Sequence, residues 1–476
     1  MSECCCGGGS CTTSTPAKAC IDAPEADTFC HAITSICPEC LRTIKGTIVA
    51  TSTGVVMRKS CLEHGAFECD VSSNLEAYQR MRRSPRIVRL PAQTEMQEAK
   101  GCPDDCGLCP AHDQHTCLAI VEITSRCNLP CPVCLADAAA KGCDITVAQL
   151  TSALDSLLRS EGGVTSLQFA GGEPTLHPEL IAIVGQAHTM GFRKMEIDSN
   201  GLLLAEDPSL AAKLRGAGLS GVYLQMDGLK ADEQKFLRGR NLLPEKLQAI
   251  ENCRKAGLQV VLSVTLVPEV NEHSIWDMIQ FAIRQRLTGI NFQSVVLAGR
   301  YPARLSKSKR FTAGHFMREA ESQSGGKLLA TDFSPMSCSD PRCGLLAHII
   351  VTRSGDLLPL RRVVGEEALR QHVADFSDWD VLLKQLGCDT AHCSCGDEPD
   401  AREKLADVLQ GSECFSIGFH GMMDAYCLDV ERARRCCVHK LNMDGKLMPF
   451  CLYNMKYRPQ LRIPKRLAKS VANCCS

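Results

Sequence analysis

"CLAIVEITSRCNLPCPVCLAD", residues 117–137, decides the fold. Its first part, 117–124, is an apolar run interrupted only by Glu122 before the closing Thr124 and rich in β-branched residues, the pattern of a buried parallel strand. Cys127, Cys131 and Cys134 follow at once. Loops leaving the carboxyl ends of parallel strands are where open and barrel α/β folds carry their chemistry.

Reading outward, the same unit repeats. Apolar runs at 166–170, 194–198, 221–226, 259–267 and 289–296 alternate with helical patterns such as "PELIAIVGQAHTMG" and "PEKLQAIENCRKAG", which close on Gly191 and Gly257. Spacings of roughly 25–35 residues are those of β/α crossovers. With 117–124 they predict an α/β fold, a partial (β/α)6 barrel over 116–300.

Composition sets the class. A chain of 476 residues with 45% hydrophobic content and a net charge of -1 supports one large core with satellites and gives no sign of a nucleic-acid partner. No apolar stretch reaches the roughly 20 residues that span a bilayer, and "MSECCCGGGSC" lacks the basic and apolar regions of an export signal, so a cytoplasmic protein is expected. The 31 cysteines are then metal ligands rather than a disulfide framework.

Cys127, Cys131 and Cys134 form C-x3-C-x2-C. Three thiolates on one loop can hold three irons of a [4Fe-4S] cluster and leave the fourth open. A zinc knuckle or buried unreactive cysteines are the competing readings, but structural zinc wants four ligands and only Cys143 follows nearby. At the next strand end stands "GGEPTLHPEL" (171–180), and "DSNG" (198–201) and "QMDG" (225–228) end the two strands after that. Asn200 and Asp227 there are either hydrogen-bonding groups for a ligand or ordinary turn residues.

The flanks are cysteine-rich and read as metal-binding extensions. Cys37, Cys40, Cys61 and His64 are short ligand pairs around a hairpin in segment 36–75, a rubredoxin or zinc-ribbon pattern for one iron or zinc, with Cys69 as rival to His64. Cys102, Cys106 and Cys109, in segment 76–115, repeat the three-thiol spacing and imply an auxiliary cluster with a remote fourth ligand, or a structural metal loop. Region 301–457 holds "SCSDPRC" and "RRCCVHKLNMDGKLMPFCLYN", and Cys338, Cys343, Cys437 and Cys451 are grouped as a further auxiliary cluster.

The three-thiol loop followed by "GGEP" resembles the radical S-adenosylmethionine (radical SAM) superfamily. By that resemblance Cys127, Cys131 and Cys134 bind the cluster, whose open iron chelates S-adenosylmethionine. Gly171, Gly172, Glu173 and Pro174 match the stretch that contacts the cofactor's amino group, and Asn200 and Asp227 fit its ribose or amino-acid part. The flanking motifs, over residues 36 to about 455, look like the branch containing archaeal tetraether lipid synthase and hydroxymethylpterin methyltransferase. That implies one or two auxiliary [4Fe-4S] clusters, a mononuclear iron or zinc, a reducing partner such as ferredoxin or flavodoxin, and carbon–carbon bond formation at an unactivated carbon, by lipid coupling or by methylation of a pterin-like substrate.

For the substrate, Phe415, Phe419, Met422 and Met423 offer an apolar wall or simply core, while Asp424 and Tyr426 offer a carboxylate and a ring for a pterin. A non-catalytic multi-cluster electron carrier or metal- or metalloid-binding protein is the alternative, and it needs neither "GGEP" nor a barrel. The 388–395 cysteine loop has no assigned role. The arm over 1–35 and the basic tail over 458–476 read as solvated ends, though soft metals would suit the first and an anionic membrane surface the second.

Overall fold

The computed structural model describes residues 30–94, 96–372 and 412–461. The 388–395 loop, most of the 1–35 arm and nearly all of the basic tail lie outside the described residues.

The chain begins with a four-stranded antiparallel sheet of neighbours in chain order, β1 (Cys30–Ile36), β2 (Thr43–Thr51), β3 (Gly54–Cys61) and β4 (Gly65–Ser72). Its apolar side packs on the segment after residue 420, burying Ile36, Ile48, Met57, Leu428 and Leu452 together. Polar groups fix the docking: Ser35 Oγ donates to Leu428 O at 2.6 Å and Lys59 Nζ to Ala425 O at 2.6 Å.

The expected barrel strands are all present, as β5 (Leu118–Thr124), β6 (Ser166–Gly171), β7 (Met195–Ser199), β8 (Gly221–Gln225), β9 (Gln259–Leu266) and β10 (Gly289–Ser294), paired in chain order and in parallel. Local chemistry starts and stops the helices between them. Helix Val147–Glu161 opens on a capping box of Thr146 and Gln149 and closes on Gly162 in the left-handed region at φ 70°.

Both edges of the six-stranded wall are extended by distant chain. β12 (Gly344–Val351), flanked by the short antiparallel strands β11 (Ser334–Pro335) and β13 (Leu357–Pro359), runs antiparallel to β14 (Glu413–His420), which lies parallel to β10, while β15 (Val438–Leu441) lies parallel to β5. Alternation then gives the wall two faces. Val121, Leu167, Ile197, Val222, Leu262 and Ile290 are fully or almost fully buried with Leu154, Val184 and Ile279 of the helices. The opposite face, which points inward, carries Glu122, Gln168, Glu196, Asp198, Tyr223 and Asn291. Neighbours on it touch: Gln168 Nε2 donates to Glu196 at 2.7 Å, and Asn291 Nδ2 donates to the Tyr223 hydroxyl.

Phe415 and Phe419 are core residues, the latter stacked on Phe316 with ring centroids 4.9 Å apart. Met423 is buried as well, and Asp424 is locked between Leu297 N–H (2.8 Å) and the Arg310 guanidinium (3.1 Å). These residues hold β14 and the ribbon in place and are not a substrate wall.

Candidate active site and metal centres

Everything at the carboxyl end of β5 is arranged to shape one loop. Cys127 N–H donates to Ala139 O at 2.8 Å, and Cys134 and Arg300 exchange backbone hydrogen bonds of 2.8 and 2.9 Å. Arg300 also clamps the loop from its side chain, with Nε to Cys131 O at 2.7 Å and Nη2 to Ala138 O at 3.1 Å. Gly299 before it sits at φ +69°, where a Cβ would lie 2.3 Å from Leu135 O. The loop can dock this closely only on a glycine.

Leu129, Leu202 and Leu242 surround the thiols. Burial pushes Cys127 up to about 11 and raises Cys131, against which the nearby Arg238 guanidinium acts. An all-sulfur donor set in apolar surroundings with one fixed cation suits the net negative charge of a thiolate-bound iron–sulfur cluster.

Gly171 and Gly172 have a structural reason of their own. A Cβ on Gly171, at φ +142°, would lie 2.0 Å from Thr124 O, and one on Gly172 2.1 Å from Arg126 O. The turn is pressed onto the root of the cysteine loop, with Gly172 N–H on Thr124 O and Glu173 N–H on Arg126 O at 2.8 and 2.7 Å. Pro174 opens the short 3-10 turn that follows. Glu173 is 1% exposed, and its carboxylate accepts from Thr175 N–H, Thr175 Oγ, Ser199 Oγ and Asn200 N–H at 2.6–3.1 Å. It braces β6 to β7.

Asn200 is half-buried and bonds to Asn128 of the cysteine loop at 2.8 Å. Asp227 differs from the expectation of a cofactor contact. It is 1% exposed and accepts from Arg238 at 2.5 and 2.9 Å and from Thr265 N–H at 2.9 Å. Its role in the geometry is to hold Arg238, whose Nη1 donates to Val133 O in the loop at 3.0 Å. Arg238, Arg300 and the buried Lys246, which donates to Gln225 Oε1 at 3.0 Å, carry no sequence signal beyond their charge.

A single tetrahedral ion with metal–sulfur bonds of about 2.3 Å spaces its ligand atoms about 3.8 Å apart. Among the described residues, two sets have ligand atoms all within 4.8 Å of one another: Cys37, Cys40, Cys61 and His64, and Cys117, Cys338 and Cys437. In the first, His64 Nδ1 lies 3.6 and 3.5 Å from the sulfurs of Cys37 and Cys61, and its hydrogen bond pulls the Cys61 thiol down to about 6. Cys69 is excluded, because it is buried against Tyr426 O at 3.1 Å.

The grouping of Cys338 and Cys437 with Cys343 and Cys451 is not what the structure brings together. Cys338 and Cys437 meet Cys117, while Cys343 and Cys451 lie within electrostatic reach of Cys436. Cys102, Cys106 and Cys109 stay together, and Cys106 feels Cys436 as well.

Family models match residues 121–282 as the Radical SAM superfamily and residues 29–73 as the HMPTM N-terminal zinc ribbon domain. The Fe-coproporphyrin III synthase of Methanosarcina barkeri is 31% identical over 38% of this chain and 45% of its own. The crystal structure of Streptococcus suis SuiB bound to S-adenosylmethionine aligns with a TM-score of 0.37 at 15% identity, over 45% of this chain and 48% of that one. The 7,8-dihydro-6-hydroxymethylpterin dimethyltransferase of Methanocaldococcus jannaschii is 31% identical over 90% of this chain and 94% of its own length. A likeness of that extent, carried by a barrel with its cysteine loop and by a ribbon ahead of it, makes this chain a member of the radical SAM superfamily and of the ribbon-bearing family within it.

Proposed function

We propose that the protein methylates a pterin-like heterocycle, and that the inward face of the barrel is where the ring binds. The observation that carries this reading is the polarity of that face. Glu196 and Asp198 lie side by side there, and burial pushes them up to about 7 and about 6. A carboxylate pair flanked by Gln168, Tyr223 and Asn291 presents the acceptors and donors that a ring amide and exocyclic amine need. A hydrocarbon chain would find little to gain. Each methylene left against such groups forgoes about 0.8 kcal/mol of burial.

In this reading Cys127, Cys131 and Cys134 hold the cluster, Gly171, Gly172 and Asn200 face the cofactor, and the buried Glu173 and Pro174 set the shape of that turn. The bound cluster and S-adenosylmethionine supply reductive cleavage of the cofactor to a carbon radical able to remove a hydrogen atom from an unactivated C–H bond. The chain orients the ring through Asp198, one residue from the end of β7, and holds the loop's charge balance through Arg238. Cys102, Cys106 and Cys109 carry an auxiliary cluster, for which Cys436 is the neighbouring thiol, with Cys343 and Cys451 next to it in turn. That neighbourhood supports a path for electrons close to the barrel edge.

Anaerobic turnover of reconstituted protein tests the proposal. Supplied with a reductant, S-adenosylmethionine and a separate one-carbon donor, 7,8-dihydro-6-hydroxymethylpterin should stimulate 5′-deoxyadenosine formation and gain methyl groups. Stimulation by an isoprenoid lipid, with none by the pterin, would overturn it.

A further inference from the structure

The second tight thiol set joins parts of the chain that are far apart. Cys117 directly precedes β5 and Cys437 directly precedes β15, and Leu118 pairs with Val438 in the parallel register. Cys117 N–H and Leu118 N–H both donate to Cys437 O, at 2.8 and 3.2 Å. Cys338, from the loop before β12, brings its sulfur 3.5 Å from that of Cys437. His115 borders the set, with Nε2 3.4 Å from Cys117 Sγ but not within 4.8 Å of all three sulfurs.

We propose that Cys117, Cys338 and Cys437 hold one tetrahedral ion, zinc or ferrous iron, separate from every cluster, with His115 turning in from beside Cys117 as the fourth ligand. Three observations support a single ion. With metal–sulfur bonds of about 2.3 Å and metal–nitrogen bonds of about 2.0–2.1 Å, a tetrahedron has edges of about 3.6–3.8 Å, close to the 3.5 Å between the sulfurs of Cys338 and Cys437 and the 3.4 Å between His115 and Cys117, and the three sulfurs all lie within 4.8 Å of one another. A cubane cluster binds one thiolate per iron at separate corners and spreads its cysteines wider. The histidine also has the outer partner that a metal-bound imidazole takes. Its Nδ1 lies 3.1 Å from Glu161 Oε2, and the other oxygen of Glu161 accepts Thr116 N–H at 3.0 Å. A carboxylate on Nδ1 fixes the tautomer that leaves the Nε2 lone pair for a metal.

A disulfide would not account for the set. It needs sulfurs about 2.05 Å apart, and it would use two thiols and leave the third facing the histidine. The site is structural, since seven strand residues at about 3.3 Å each put some 23 Å between Cys117 and the radical loop. It anchors the start of the strand whose far end carries that loop, and ties to it the edge strand β15 and the loop before β12.

Counting zinc, iron and acid-labile sulfide on the full chain purified without oxygen tests this. Metal should exceed sulfide by two equivalents per chain, one in the ribbon and one here. The ribbon variant C37S/C40S should keep one equivalent of excess, and C117S/C338S should lose one metal and no sulfide. His115→Ala should keep folding but surrender its ion to a chelator at least about tenfold faster. No excess metal in C37S/C40S overturns the proposal, as does loss of iron together with sulfide in C117S/C338S, which would mark a cubane. Should C117S/C338S fail to fold, the ribbon variant decides the matter alone.

Discussion

Two loops of this chain have the same C-x3-C-x2-C spacing and opposite surroundings. The loop at Cys127 opens toward the barrel mouth, with Cys127 and Cys134 only half-buried and Arg238 and Arg300 holding it from the barrel side. The loop at Cys102 is closed in between the ribbon and the C-terminal segment, where Cys106 and Cys109 are buried and Tyr457 caps Pro103 O and Asp104 O at 2.9 and 3.0 Å. Burial pushes Cys102 up to about 12, with the Cys109 thiolate adding to the rise. Spacing therefore sets how many irons a loop can hold, and surroundings decide whether the open position is reachable by a cofactor.

The sharpest way to break this comparison is to remove each loop's thiols in turn. C127A/C131A/C134A should lose one cluster's iron and all 5′-deoxyadenosine formation, with the remaining metal unchanged. C102A/C106A/C109A should still cleave the cofactor, slowly and without product, because its loop does not face the barrel mouth. Cleavage surviving in the first variant, or vanishing from a folded, iron-loaded second one, would mean that the loops' roles are assigned the wrong way round.

The barrel was legible because each strand and its helix are contiguous in sequence, and period-two and 3.6-residue patterns are local. The ribbon was legible for the same reason, its ligands coming in the pairs Cys37/Cys40 and Cys61/His64. What escaped was everything assembled from distant chain. β15 lies beside β5 although the two are separated by the whole barrel, and nothing in "CCVHKL" announces its neighbour. Cys117 was absorbed into the apolar run it begins. The doubled Cys436–Cys437 was ambiguous for a geometric reason: successive side chains in an extended segment point to opposite sides. Cys437 accordingly joins Cys117 and Cys338, while Cys436 faces Cys343 and Cys451. Asp227 misled because an Asp-Gly turn at a strand end looks identical whether its carboxylate meets a ligand or an arginine.

That arginine gives the next test. Replacing Arg238 by Gln leaves Asp227 buried without its cation, which typically costs about 3–5 kcal/mol. Denaturant unfolding should show the loss, and the radical cluster should fall out faster than the other metals because Val133 O loses its donor as well. Uniform release of all metals would point to general unfolding instead.

The smallest effect is the most informative about the barrel interior. Burial, reinforced by the Glu173 carboxylate, raises Asp198 from the ordinary 3.8 to about 6, although Lys440, Arg238 and Lys246 act in the opposite direction. The folded state thus holds this proton more tightly than the unfolded chain, so between about pH 4 and 6 stability falls as pH rises, and above that window the full cost of the buried charge is present. Asp198→Asn removes the charge and keeps the shape. It should stabilise the cofactor-free protein at pH 8 by about 3 kcal/mol and leave it nearly unchanged near pH 4, as read from thermal unfolding at both values. The same variant should lose stimulation of cofactor cleavage by the pterin while retaining the unstimulated rate. A carboxylate kept at a cost to stability, on the polar inward face of the barrel, is what a ligand-binding wall requires; stabilisation without loss of stimulation would make Asp198 a bystander and move the ring elsewhere.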